Sequence, residues 1–252
     1  MVRRTRALLV AAFFAVSAAG TALAAVPAGA DTQICAQYGT TTIQSGRYIV
    51  MNNVWGASTS QCINVTSTGF QITSANHNNS TSGAPAAYPA VYLGCHYGAC
   101  TTGSPFPKQV SALTSVTSSV AITVPTSGAW DASYDIWYDP TARTNGQNTG
   151  AELMIWVNHL GAPQPGGSKI GTASLAGATW DVWYNNSGWN LISYVRQQTA
   201  TSFSGSILDF TKDATTRGYI KSSWYMTSVQ YGFEPWIGGA GLAVNSFSTT
   251  VS

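Results

Sequence analysis

From residue 47 onward the chain is a succession of short segments in which apolar and polar positions alternate, each closed by Gly, Pro, Asn or Ser. Alternation of period two over four to nine residues, rich in Val, Ile, Thr, Tyr and Trp, marks a strand with one face buried. Ten strands are predicted, at residues 47–53, 69–75, 90–95, 120–124, 132–138, 151–158, 178–184, 190–197, 227–234 and 243–251. One stretch breaks the rhythm. Over residues 206–217, Ile207, Leu208 and Phe210 fall to one side and Asp209, Lys212 and Asp213 to the other, at helical spacing. The pattern therefore predicts an all-β fold, a sandwich of two curved antiparallel sheets with one short helix and no internal repeat.

The same alternation aims the side chains, because successive residues of a strand point to opposite faces of the sheet. In 151–158, Ala151, Leu153, Ile155 and Val157 form an apolar face, which leaves Glu152, Met154, Trp156 and Asn158 on an open one. In 227–236, Val229, Tyr231 and Phe233 oppose Ser228, Gln230, Gly232, Glu234 and Trp236. In 132–138, Asp135 and Trp137 stand opposite Tyr134, Ile136 and Tyr138. Glu152 and Glu234 are the two glutamates of the 252-residue chain, and each is set among Met, Ile, Trp, Phe or Pro. A carboxylate placed there loses hydration for nothing unless it is paired, hydrogen-bonded or used. Two of them, far apart in sequence on apolar strands, suit acid/base and nucleophilic work at a sugar.

The N-terminus reads differently. Arg3, Arg4 and Arg6 precede an apolar run over residues 7–19 and a small-residue end at Ala28-Gly29-Ala30, the pattern of a cleaved secretory signal. Residues 1–30 are expected to be removed, with cleavage between Ala24 and Ala30, leaving residues 31–252 as one catalytic domain. The apolar run falls short of the ~20 residues that span a bilayer. Without the three leader arginines, eight basic side chains face nine acidic ones, so nucleic acid and anionic membranes lose their electrostatic case. Nine tryptophans and twelve tyrosines among many Ser, Thr, Asn and Gly residues suit a neutral ligand such as a sugar chain, stacked on aromatic faces and held by amides and hydroxyls.

Four cysteines in an exported chain read as two disulfides with three possible pairings. Cys35–Cys62 is favoured because the two flank a hairpin, and Cys95–Cys100 because Gly98 can turn the short loop between them. A zinc site using His77 or His96 matches no common ligand spacing. Serine-hydrolase chemistry lacks a Gly-x-Ser-x-Gly elbow, and His77, His96 and His159 fall in polar loops or at loop edges. No metal and no cofactor is expected, and the chain is expected to act as a monomer.

Four motifs in register carry a resemblance: Asn52–Ala57 (NNVWGA), Tyr134–Tyr138 (YDIWY), Glu152–Trp156 (ELMIW) and Phe233–Trp236 (FEPW). Together they resemble glycoside hydrolase family 12, over essentially the whole of residues 31–252. The resemblance implies a β-jelly-roll with a long cleft across its concave face, and a secreted endo-β-1,4-glucanase that cleaves β-glucan with retention. It implies Glu152 as nucleophile, Glu234 as general acid/base, and Asp135 as an accessory carboxylate hydrogen-bonded to Glu152. Asn53 and Trp55 would hold sugars on the non-reducing side of the cleavage point, Met154 and Trp156 would line the cleft, and residues 159–167 would cross it as a cord. Phe233 departs from the threonine form of the acid/base motif. The alternatives are a xyloglucan-specific enzyme, a xylanase of the related family 11, and a non-catalytic glucan-binding domain of lectin type.

Overall fold

The computed structural model describes residues 31–252 apart from residue 187, and the expected signal at residues 1–30 lies outside the described residues. The first five strands are β1 (Thr32–Ile34), β2 (Thr40–Ile43), β3 (Tyr48–Met51), β4 (Gln61–Val65) and β5 (Phe70–Asn78). Next come β6 (Ala90–His96), β7 (Ala99–Cys100), β8 (Lys108–Gln109), β9 (Val116–Thr123), β10 (Ala129–Asp139) and β11 (Ala151–Leu160). The rest are β12 (Ser168–Leu175), β13 (Ala178–Asn186), β14 (Asn190–Arg196), β15 (Ser202–Ser206), β16 (Tyr225–Gly239) and β17 (Ala243–Val251). Helix α1 (Ile207–Thr216) lies within the predicted span, and the Ser206 hydroxyl caps it by accepting the Asp209 N–H at 3.1 Å.

The strands form two layers. The inner sheet runs β2-β3-β6-β16-β10-β11-β14-β13-β12, and the outer sheet runs β1-β4-β5-β17-β9-β15. Strand β5 joins them, since it pairs with β4 and β17 in the outer layer while its far end pairs with β16. Between the layers sits the predicted apolar face. Tyr134, Ile136, Leu153, Ile155, Val229, Tyr231 and Phe233 pack against Ile63, Phe70, Ile72, Val120 and Phe247 in one core. Tyr134 meets Tyr231 edge-to-face at 4.7 Å and Phe203 at 5.3 Å, contacts each worth about 0.5–1.5 kcal/mol beyond their area burial.

One pairing departs from the antiparallel expectation: β11 and β14 run parallel. The connection explains it. Chain leaving β11 at Leu160 enters β12 with Ser168 opposite Tyr184, beside the end where β11 began. Residues 161–167 must therefore travel back across the sheet, and after the β12–β13 hairpin β14 points the same way as β11. This segment is the expected cord, shortened at its start because His159 and Leu160 belong to β11. Gly167 ends it at φ +91°, where an added Cβ would lie 1.9 Å from the Tyr184 carbonyl oxygen, so only glycine fits this approach. Both favoured disulfides are present. Cys35–Cys62 ties the paired β1 and β4 around the β2–β3 hairpin, and Cys95–Cys100 closes β6 on β7.

Candidate active site

A cleft of about 1200 Å³ crosses the concave inner sheet, and Asp135, Glu152 and Glu234 all line it. Strand β10 organises them. It is flanked by β11 on one side and β16 on the other, with Glu152 opposite Trp137 and Glu234 opposite Asp131. On a flat sheet these register positions would lie about 20 Å apart along β10. In the curled sheet the Glu152 and Glu234 carboxyls are close enough for the charge of Glu152 to raise the pKa of Glu234.

Each carboxyl has its own setting. Glu152 Oε2 accepts the Trp189 indole N–H at 2.8 Å, and Asp135 Oδ2 accepts that of Trp137 at 2.7 Å. Asp135 lies opposite Met154 rather than Glu152, so the expected hydrogen bond between the two carboxyls is replaced by an indole donor to each and by their mutual charge. Burial raises Glu152 to about 7 against the pull of the Trp189 hydrogen bond. Asp135 is pushed well above the carboxylate range by burial and then by the charge of Glu152. Glu234 is pushed well above it too, by burial first and next by Asp131. Among the described residues none lining the cleft is Lys or Arg, so no cation is at hand to keep all these groups ionised.

The other expected residues divide. Asn53 and Trp55 line the cleft, with Trp55 47 % exposed and its indole free to receive a ring. Asn53 adopts a left-handed φ of 40°, tolerated by asparagine, and its carbonyl accepts the Tyr88 N–H at 2.9 Å. Met154 and Trp156 also line the cleft, yet they are nearly buried in a small apolar cluster with Ala129 and Trp236. Asn158, expected on the same open face, is not part of the cleft: its amide donates to the Ala200 carbonyl at 3.0 Å. The register slips at Ala132/Ser133 just where Asn158 pairs, and such a slip reorients the strand beyond it.

Two site residues were not visible in the pattern. Trp189 sits in the β13–β14 turn, 37 residues from the carboxylate it touches, and only the return of β14 beside β11 brings it there. Asp131 has a signal that could have been used, since it shares strand parity with Asp135, but the predicted strand began at Ala132. No group of three or more His, Cys, Asp and Glu placed to hold a metal occurs among the described residues.

Residues 46–252 match the sequence profile of Glycosyl hydrolase family 12. The chain belongs to glycosyl hydrolase family 12. Among its relatives, the "Probable cellulase Cel12b" of Mycobacterium tuberculosis is 40 % identical over 151 residues, 60 % of this chain and 99 % of the relative. "Xyloglucan-specific endo-beta-1,4-glucanase A" of Emericella nidulans is 33 % identical over 228 residues, 86 % of this chain and 90 % of the relative. The solved structure of endoglucanase Cel12A from Rhodothermus marinus superposes with a TM-score of 0.85 at 47 % identity, covering 88 % of this chain and 99 % of that one. The family's β-jelly-roll is thus the fold of this chain, as the layer arrangement shows.

Proposed function

We propose that this family-12 glycoside hydrolase is a secreted endo-β-1,4-glucanase in which Glu152 is the nucleophile and Glu234 the general acid/base. The meeting of the chain's two glutamates in one cation-free cleft carries the reading. In a retaining enzyme one carboxylate attacks the anomeric carbon while a protonated carboxyl supplies the leaving oxygen with its proton. The settings match these roles. Glu152 receives a hydrogen bond that favours its ionised form, whereas the surroundings of Glu234 favour the acid. Once Glu152 carries the sugar its charge is gone, one cause of the raised Glu234 pKa disappears, and Glu234 can take a proton from water. Asp135, kept protonated by burial and by the charge of Glu152, stands beside it and titrates together with it. Asn53 and Trp55 hold sugars upstream, Met154 and Trp156 shape the floor, and β-glucan lies along the cleft.

Secretion is supported by the leader pattern of residues 1–30 together with two disulfides, which persist in oxidising compartments. Residues 31–252 act as one catalytic domain and as a monomer. Protein recovered from culture medium, with its N-terminus expected to follow a residue between Ala24 and Ala30, is assayed for reducing ends and viscosity loss. The substrates are carboxymethylcellulose, barley β-glucan, xyloglucan and xylan. A rapid viscosity drop on the unbranched glucans is expected, reduced about 10³-fold or more in Glu152→Ala and Glu234→Ala. Turnover on xylan alone, or glucan binding without turnover, would overturn the assignment. Preference for xyloglucan is the second reading, favoured by the Emericella nidulans relative that bears that specificity in its name.

A further inference from the structure

His77, expected in a polar loop, is instead buried at the far end of β5, where it pairs with Gly238 of β16. It begins a chain of polar side chains. Its Nε2 lies 3.0 Å from the Oε1 of Gln61, the first residue of β4. The Gln61 amide donates to the Asn52 backbone carbonyl at 3.2 Å and to the Asn52 side-chain oxygen at 2.9 Å. The Asn52 amide donates to the carbonyls of Ala36 and Gln61 at 3.1 and 2.9 Å, each next in sequence to a half of the Cys35–Cys62 disulfide. All three side chains are buried. The network fixes its own hydrogens: with the Gln61 N–H groups given to Asn52, its oxygen faces His77 and needs a donor, so His77 carries its hydrogen on Nε2. Burial lowers the His77 pKa and keeps the ring neutral near pH 7. Nδ1 is then a bare acceptor that no described residue meets, and the bond to Gln61 is the one the ring makes.

The other end of the chain is the turn that carries Trp55. The Asn52 carbonyl held by Gln61 belongs to the peptide leading into Asn53, whose φ of 40° bends the backbone just ahead of Trp55. Beyond it the Asn53 carbonyl accepts the Tyr88 N–H, and Val54 exchanges bonds with Gln37 at 2.9 and 2.7 Å. Trp55 itself is 47 % exposed, so its place in the cleft is set by the backbone of this turn more than by packing. We infer that His77, Gln61 and Asn52 are positioning residues for Trp55, a hydrogen-bonded relay from β5 to the peptide ahead of Asn53 that holds the indole ready for a sugar ring. This rests on Trp55 holding sugars upstream. A glucan then meets a preformed platform and does not have to order it on binding. Without the Nε2–H, Gln61 Oε1 is left buried and undonated. The amide gains by turning over, which withdraws its N–H groups from Asn52 and releases the turn.

Three substitutions separate the donor from the shape of the ring. His77→Phe keeps a ring and deletes the donor, His77→Asn keeps an amide that reaches only the Nδ1 position, and His77→Gln places an N–H where Nε2 was. On barley β-glucan the first two are expected to raise KM about fivefold or more while kcat stays within about twofold. His77→Gln should stay within about twofold of the wild type in both. Circular dichroism establishes folding, and where His77→Phe does not fold the smaller His77→Asn carries the same test. In a Trp55→Ala background the first two should raise KM by less than about twofold, because the group they displace is gone. Folded variants with wild-type KM overturn the inference, as does an equal rise in KM with and without Trp55. So does His77→Gln impaired as much as His77→Phe, which would mean that the ring acts by its shape. Trp55→Ala alone separates the two readings. If its KM is that of the wild type, the sugar platform falls and takes this inference with it. If its KM rises while His77→Phe and His77→Asn are unmoved, only the positioning role falls.

Discussion

Two indoles govern two of the carboxyls in the cleft. Trp189 donates to Glu152 and Trp137 to Asp135, and their rings lie 5.5 Å apart. Because a hydrogen bond to the charged form favours that form, Trp189 opposes the burial that lifts Glu152 to about 7. In the proposed mechanism Glu152 must be ionised for turnover, so its pKa sets the acid limb of the rate profile. Trp189→Phe keeps much of the ring and deletes the donor. The Glu152 pKa should rise, the acid limb of kcat/KM should move to higher pH, and kcat/KM near neutrality should fall about 10-fold or more, the usual loss for a hydrogen bond to a charged group. An acid limb identical to the wild type would show that the indole is a sugar platform and not a tuning donor. Trp189 also marks where reading by parity stops: Glu152, Asp135 and Glu234 could be aimed from their own strands, but a residue delivered by a turn 37 positions away could not.

At the scale of elements, the wall of the cleft hangs on one buried carboxylate. Asp139, at the end of β10, accepts from the Thr141 N–H and hydroxyl, the Thr149 N–H and the Arg143 guanidinium, at 2.9, 2.6, 3.0 and 2.6 Å. Burial alone would raise its pKa, but these donors hold it at about 2. They fix the segment 140–149, which carries Gln147 and Asn148 to the cleft and meets the disulfide-closed hairpin, where Gly98 N–H donates to the Thr144 carbonyl at 3.0 Å. Asp139→Asn should lower stability by roughly 3 kcal/mol and raise KM more than it lowers kcat, since a wall moves while the reacting carboxyls stay. Urea unfolding and steady-state kinetics on β-glucan check this; an unchanged KM would place the segment outside substrate binding. The elements legible in the sequence are those that bury a face, such as β10, β11, β16 and α1. Among those passed over, β2 (TTTI), β12 (SKIGTASL) and β15 (SFSGS) are rich in exposed or half-exposed Ser, Thr and Gly, whereas β4 (QCINV) does bury a face but opens it with the polar Gln61. The three exposed strands hold their place through pairing with neighbours, a tertiary fact that local alternation does not encode.

For the molecule as a whole, the buried carboxyls Asp131, Asp135, Glu152 and Glu234 are a source of instability, three of them groups on which the proposed function depends. Each has a folded-state pKa above its ordinary value. Between the unfolded pKa of Glu, about 4.3, and the folded value of about 7 for Glu152, the folded state binds more protons than the unfolded one. Stability therefore falls as pH rises through that window and is intact below it. Glu152→Gln has no proton to lose, and it also removes a charge that raises Asp135 and Glu234. Its Tm should exceed that of the wild type at pH 8 by a few degrees, each kcal/mol being worth roughly 2–4 °C at this size. The difference should shrink to nothing near pH 4. Thermal melts of both proteins across pH 4–8 decide it. A gap that does not depend on pH would mean that the glutamine acts through packing, and a lower Tm at pH 8 would mean that the Glu152 carboxylate is a net stabiliser held by Trp189. The expected convergence at low pH instead ties two properties together: the pH range in which Glu152, as the proposed nucleophile, becomes ionised and able to attack is the range in which the fold begins to lose stability by holding it.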